Sequence, residues 1–322
     1  MIPITVLTGF LGSGKTTLLA HLLKSPKLAR MAVIINEFGA VGIDHDLVEA
    51  GEESFVQLET GCLCCSLRGD LEATIADLMV RRANGTAPPF ERIVIETSGL
   101  ADPAPILNAI MSEGVRGSGI TLGRIVTTVD AVNGLATLAR EPQAVRQVAV
   151  ADHLILTKTD LADDSLALAA KLAALNARAP VSEALFGTID ADDLLDAEPH
   201  ALDDLHLHAG HLHGEDVQCI VVRRDRPMRA LTLTLLLETL ADHIGPDLLR
   251  LKGIVNIAEH PNRPAVIHGV QHVFHAPTWL ENWPSADRST RLVLIGRALS
   301  GPWIDDLIAA LDAELAELTI SE

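Results

Sequence analysis

Gly9-Phe10-Leu11-Gly12-Ser13-Gly14-Lys15-Thr16 stands almost at the start of the chain. It fits G-x-x-x-x-G-K-[ST], the loop that wraps backbone N–H groups around a phosphate. The apolar run Ile4-Thr5-Val6-Leu7-Thr8 precedes it, and the helical pattern Thr17-Leu18-Leu19-Ala20-His21-Leu22-Leu23 follows. Strand, loop and helix in that order are the context the motif requires. The glycines leave room for backbone amides to face an anion, and the helix behind them presents its positive end. Lys15 is placed to reach the terminal phosphates, and the Thr16 hydroxyl to ligate Mg²⁺.

Outward from this loop, apolar runs recur at Ala32–Ile35, Arg92–Ile95, Arg124–Val129 and His153–Leu156, with helical stretches at Leu67–Arg82 and Ala104–Ser112. Near-continuous apolar strands alternating with helices predict an α/β fold, a P-loop nucleoside-triphosphatase (NTPase) with a mostly parallel sheet covered by helices. Functional residues are then expected at the carboxyl ends of the strands. Residues 1–189 form this unit. Residues 190–216 are rich in acids and histidines and hold no Lys or Arg, which reads as a linker. From residue 217 to 322 the pattern changes. Strand-like runs at Val217–Val222, Gly253–Ala258, Ala265–His275 and Arg291–Ile295, with helices at Leu231–Ile244 and Trp303–Leu318, predict a smaller C-terminal α+β domain.

Composition narrows the function. The chain has 322 residues and is 48% hydrophobic, enough for two cores, but aromatics are 3% and Tyr is absent, so packing rests on aliphatic side chains. A net charge of -18 argues against nucleic acid and anionic membrane surfaces as partners, and favours cations. No apolar run reaches the length of a membrane span, and the stretch Ile2–Leu11 lacks a basic leader region, so a cytoplasmic location is expected. The cysteines are too few and too clustered for a disulfide framework.

Two further strand ends carry chemistry. Glu96-Thr97-Ser98-Gly99 offers a carboxylate for Mg²⁺ or a catalytic water, and a Gly99 N–H able to approach a γ-phosphate. Thr157-Lys158-Thr159-Asp160 offers a carboxylate that can accept both donors on the guanine edge, a pair adenine lacks, beside a lysine stem that can lie along the base. This resembles the Asn-Lys-x-Asp motif of GTPases, with Thr157 in place of Asn.

A metal-binding constellation accompanies the nucleotide motifs. Cys62, Cys64 and Cys65 follow Glu59-Thr60-Gly61, and thiolates suit Zn²⁺, Co²⁺ or Cu(I). Cys62 and Cys65 also have the spacing of a redox pair, but they fall inside a nucleotide-binding domain rather than a thioredoxin-like unit. Glu37 and His45 precede the cysteines, and either could complete a site, although His45 reads first as a solvated loop residue. His206, His208, His211 and His213, set among acids, form either a weak accessory metal-collecting tract or plain linker. Cys219 stands alone in an apolar strand pattern and reads as core.

Together these residues resemble the CobW-type GTPases, metallochaperones related to the urease and hydrogenase accessory GTPases. The resemblance rests on Gly9–Thr17, Asn36–Gly39, Glu59–Cys65, Glu96–Gly99 and Thr157–Asp160, and continues through Leu248–Gly253 and the Trp279 region. It implies slow GTP hydrolysis and transfer of a transition metal, zinc first and cobalt second, to a client metalloprotein. By that resemblance Gly9, Gly12, Ser13, Gly14, Lys15, Thr16 and Thr17 would hold phosphates and Mg²⁺. Lys15, Glu96 and Gly99 would serve catalysis, with Glu96 and Gly99 sensing the γ-phosphate. Lys158 and Asp160 would read guanine, and Cys62, Cys64 and Cys65 would carry the metal. A homodimer is compatible with this reading. Cobalt delivery in cobalamin synthesis, a passive metal buffer with a structural nucleotide site, and a phosphate-loop kinase are the competing readings; nothing in the kinase explains the cysteines. In chain order the cysteine loop lies between the phosphate loop and Glu96, so GTP and Mg²⁺ are expected to order it and hydrolysis to loosen its metal.

Overall fold

A computed structural model describes residues 1–23, 30–36, 55–57, 67–162, 165–186, 188–189, 217–274 and 276–320. The chain divides into two compact units, residues 1–198 and 199–322.

The first unit is built on one sheet. Its strands are β1 (Ile2–Gly9), β2 (Met31–Asn36), β3 (Phe55–Gln57), β4 (Arg92–Thr97), β5 (Ile120–Asp130), β6 (His153–Thr157) and β7 (Val181–Ala184). They lie in the order β3-β2-β4-β1-β5-β6-β7, and each neighbouring pair is parallel. A parallel sheet is shielded on both faces, and the central strands show it: Ile4, Val6, Ile93 and Ile95 have no exposure at all. Helix α1 (Lys15–Leu23) turns Leu18, Leu19 and Leu22 into a cluster with Leu7, Val33, Val94, Val126 and Ile155, so one face of five strands packs on one helix. Around the sheet run α2 (Leu67–Ala83), α3 (Pro103–Ile110), α4 (Glu113–Gly117), α5 (Gly134–Arg140), α6 (Pro142–Val150) and α7 (Leu166–Leu175).

The carboxyl ends of β1, β4, β5 and β6 all point to one edge, because the strands run the same way. The phosphate loop, the Glu96 segment and the Thr157 segment therefore leave from neighbouring positions. The order matters: β1 sits between β4 and β5, and β6 lies next to β5. Local signals set the exits. Asp102 caps α3 by accepting the Ala104 N–H at 3.0 Å, and Pro103 opens the helix where no N–H is needed. Pro142 opens α6 in the same way.

The second unit holds β8 (Val217–Arg224), α8 (Ala230–Ile244), β9 (Leu248–Val255), β10 (Ala265–Val270), β11 (Val273–Phe274), β12 (Thr278–Trp279), β13 (Thr290–Arg297) and α9 (Gly301–Ile320). The sheet is antiparallel, in the order β11-β10-β9-β13-β8, with β12 paired to β10. Leu233, Leu236, Leu237 and Leu240 recur at helical spacing along α8 and pack on Leu251, Val255, Leu292 and Leu294 of the sheet. The Arg224 guanidinium is paired with Asp312, whose other carboxylate oxygen accepts the Thr232 hydroxyl at 3.0 Å, so β8, α8 and α9 share one polar tie.

Three sequence expectations shift here. The strand expected over Gly253–Ala258 is β9, five residues earlier at its start, because Arg250 and Lys252 interrupt the apolar run without interrupting the strand; Arg250 is 6% exposed. The single run Ala265–His275 is a hairpin, folded at Gln271, which takes the left-handed conformation with φ 54. Cys219 is half-buried on β8 rather than core. Residues 190–216 lie outside the described residues.

Leu251 is fully buried among α8 and its sheet neighbours. Leu251→Ala is expected to lower the unfolding free energy by about 2–5 kcal/mol, read as a lower urea midpoint at unchanged slope. A loss below about 0.5 kcal/mol contradicts this packing.

Candidate functional site

The phosphate loop bridges β1 and α1. Gly9 takes φ 142, and a Cβ there would sit 2.3 Å from the Thr128 hydroxyl and 2.7 Å from the Ser13 hydroxyl, so only glycine lets the strand end pass so close to β5. Ser13 Oγ and Thr128 Oγ1 are hydrogen-bonded at 2.7 Å, fixing the loop to β5. The Lys15 ammonium spans the loop, donating to the carbonyls of Gly9 at 2.9 Å and Phe10 at 3.3 Å. Gly12 and Thr17 are exposed, and Ser13 and Lys15 are buried.

Beside it, the Thr16 hydroxyl donates to Glu96 Oε1 at 2.7 Å. The two residues proposed from sequence to meet Mg²⁺ are thus in contact across β1 and β4. Glu96 is 3% exposed, at the end of β4. Three residues on, Gly99 is buried against the phosphate loop: an added Cβ would stand 2.7 Å from Leu11 N and 2.8 Å from Leu11 Cα. A backbone that close admits no side chain.

The end of β6 joins the same assembly. The Thr157 hydroxyl donates to the Ser13 carbonyl at 2.8 Å and to the Val129 carbonyl at 3.3 Å. The hydroxyl that stands here in place of an Asn amide thus ties the phosphate loop to the end of β6. Lys158 follows in the left-handed region, φ 57, and its ammonium meets Asp130 Oδ2 at 2.6 Å. Asp160 stands exposed in a short 3-10 turn, Thr159–Leu161. A cavity of about 280 Å³ opens between these loops, lined among others by Leu11, Ser13, Asp130, Asn133, Gln147 and Lys158. The structure so brings together Gly9, Gly12, Ser13, Gly14, Lys15, Thr16, Glu96, Gly99 and Lys158. Glu37, His45, Cys62, Cys64, Cys65, His206, His208, His211 and His213 lie outside the described residues, the cysteines falling in sequence between β3 and α2. Among the described residues no cluster of three or more His, Cys, Asp or Glu side chains is arranged for a metal ion, and no helix is long and apolar enough to cross a membrane.

Sequence reasoning overlooks two site residues. Asp130 ends β5 and organises the following turn: Oδ1 accepts the N–H groups of Val132 at 2.8 Å and Asn133 at 3.1 Å, while Oδ2 takes Lys158 and the Asn133 amide. Partial burial raises its carboxyl, but the Lys158 and Asn133 bonds and the Val132 amide outweigh it, and the net position is below the ordinary aspartate value. Its place at a strand end was the available signal. Gln147 is fully buried on α6, and its Nε2 donates to the carbonyls of Gly99 at 3.2 Å and Ala101 at 3.1 Å. A polar side chain on the apolar face of a short helix was its only trace in the sequence.

Residues 3–183 match the CobW/HypB/UreG nucleotide-binding domain. The chain belongs to that family. Residues 217–315 match the cobalamin synthesis protein cobW C-terminal domain. The zinc chaperone YjiA of Escherichia coli is 36% identical over 303 residues, 92% of this chain and 94% of that one. The zinc chaperone CobW of Pseudomonas aeruginosa is 32% identical over 343 residues, 92% of this chain and 88% of that one. The crystal structure of Zn(II)-bound YjiA GTPase from E. coli aligns with a TM-score of 0.74 at 31% identity, covering 96% of this chain and 98% of that one. The paired domains of the CobW family thus extend over nearly all of the sequence.

Gly99→Ala forces Leu11 and the Glu96 segment apart, and about 1–3 kcal/mol of stability should be lost, seen as a lower melting temperature; an unchanged one contradicts the close approach. Asp130 supplies a pH signature. Its carboxyl is lowered on folding, so its contribution is complete above the unfolded aspartate pKa and is lost as pH falls through the lowered folded value. Asp130→Asn should flatten the acid limb of the stability curve below about pH 4; an identical acid limb contradicts this.

Proposed function

We propose that this chain is a GTP-hydrolysing metallochaperone that carries zinc to a client metalloprotein. The observation that carries the reading is the 2.7 Å contact of Thr16 with Glu96, made where Gly99 abuts the phosphate loop. A loop that binds phosphates and a segment that answers to the last of them touch in two places. The similarity to proteins named zinc chaperones and to a GTPase of the same two-domain length supports the cargo and the nucleotide.

In this reading Gly9, Gly12, Ser13, Gly14 and Thr17 cradle the phosphates, and Lys15 exchanges its carbonyl partners for phosphate oxygens. Thr16 and Glu96 present hard oxygen donors, a set that fits Mg²⁺. The ion would supply charge neutralisation on the phosphates. Glu96 orients the attacking water, and Gly99 N–H reports whether a γ-phosphate is present. Asp160 selects guanine through paired acceptance, with the Lys158 stem against the base. Cys62, Cys64 and Cys65, with Glu37, hold the zinc as cargo, and the acidic tract with His206, His208, His211 and His213 gathers ions for them. Residues 190–216 serve as the linker between domains. Thiolates stay reduced and metal-competent in the cytoplasm, where we place the protein.

The cobalamin name of the C-terminal family favours cobalt as a second cargo. Affinity order ranks zinc no lower than cobalt at such a site.

Turnover of GTP with Mg²⁺ tests the reading. The wild-type chain should hydrolyse GTP in preference to ATP, and Lys15→Ala should abolish nucleotide binding. Asp160→Ala should lower the GTP-over-ATP preference by about 100-fold or more. Joint Cys64→Ala and Cys65→Ala substitution should remove tight zinc binding and leave GDP affinity intact. Absence of turnover would leave a passive metal buffer, and zinc binding indifferent to the cysteines would remove the chaperone.

A further inference from the structure

We propose that Gln147 is a positioning residue of the nucleotide site: it holds the Gly99–Ala101 backbone against the phosphate loop and thereby sets how well GTP is told from GDP. The inference rests on the reading of the chain as a GTPase.

The segment after Glu96 is gripped from two sides. On one side Gly99 lies against Leu11, too close for any side chain. On the other stands α6. Gln147 has no exposure, and both hydrogens of its side-chain amide are used, one on the Gly99 carbonyl and one on the Ala101 carbonyl. The amide orientation follows from this, since its oxygen turned to two carbonyls would repel them. The backbone carbonyl of Gln147 accepts the buried Thr127 hydroxyl at 2.8 Å, so the helix turn bearing the amide is fastened to β5. The preceding residue adds a third grip. Arg146 Nη1 meets Asp102 Oδ2 at 2.6 Å, and Asp102 is the residue that caps α3.

Two consecutive residues of one helix therefore hold the segment 99–102 at three points, and the helix is itself fastened to the sheet at Thr127. A segment that senses a γ-phosphate has to change position or rigidity when the phosphate leaves. Here it can do so only by breaking the Gln147 bonds or by carrying α6 with it. Gln147 touches no reacting atom in this arrangement. Its effect is exerted through Gly99, and it is felt in the triphosphate state, where the position of that backbone is read.

The test uses the full-length chain. Gln147→Leu keeps the volume and removes both donors; Gln147→Glu keeps the shape and sets a carboxylate against two carbonyls. For each, kcat and KM for GTP are measured together with equilibrium affinities for GDP and for GTPγS. GDP affinity should stay within about twofold of the wild type, while GTPγS affinity and kcat fall by about tenfold or more. Arg146→Gln, at a partly exposed pair, should move the same ratio in the same direction by a smaller factor, and it decides the matter if the Gln147 variants do not fold. Equal losses for GDP and GTPγS would show a merely structural amide and overturn the inference. Unchanged values in all variants would overturn it too. A wild-type chain without GTP turnover sinks the parent reading and this inference together, whereas normal wild-type turnover with indifferent variants sinks the inference alone.

Discussion

One contact governs the nucleotide-binding unit: the Thr16 hydroxyl on the Glu96 carboxylate, with Gly99 pressed on Leu11 beside it. It joins the loops that leave β1 and β4. Those strands are direct neighbours in a parallel sheet, so both loops emerge side by side at the same edge. The buried aliphatic core of the sheet fixes that adjacency, and the contact turns it into a site. Thr157 does the same on the other flank, tying β6 to Ser13. Three strand ends are thereby locked onto one phosphate loop.

Polar groups with little exposure perform this locking. Ser13, Thr128, Thr157, Glu96 and Gln147 are all buried, and each is joined to a neighbouring loop or strand. In so little solvent each of these hydrogen bonds restrains the groups it joins. Such restraint suits the proposed role, in which a single phosphate is felt several residues away. The Lys158–Asp130 pair extends the network to the edge that would face the base, in a more exposed setting where screening weakens it.

Much of this was legible in the chain itself. The phosphate loop announces its strand and helix, and glycine spacing carries the chemistry. Glu96 and Thr157 are readable because parallel strands deliver residues to one edge. Long, strongly apolar elements such as β1, β4, β5 and α8 follow from periodicity alone. What escaped reading depends on contacts far apart in sequence. Gln147 meets Gly99 only after the fold has formed, and its own neighbourhood looks like any short amphipathic helix. Asp130 acquires its role from Lys158, twenty-eight positions later. The helices α5 and α6 lack long apolar periodicity, and β7 is a four-residue edge strand with too little pattern to identify. In the C-terminal unit, charged residues inside β9 and a left-handed Gln271 hid a strand start and a hairpin.

The cysteines connect this architecture to its proposed purpose. In sequence they follow β3, whose carboxyl end shares the sheet edge with the phosphate loop and Glu96. If nucleotide state governs the grip on metal, linkage demands that metal govern the grip on nucleotide by the same factor. The most direct measurement is therefore the affinity of the full-length chain for Co²⁺, read by thiolate charge-transfer absorption, and for Zn²⁺ by competition, with GTPγS bound and with GDP bound. The account predicts a ratio of about 100-fold, corresponding to about 2.7 kcal/mol of coupling. Equal metal affinity in the two nucleotide states contradicts it.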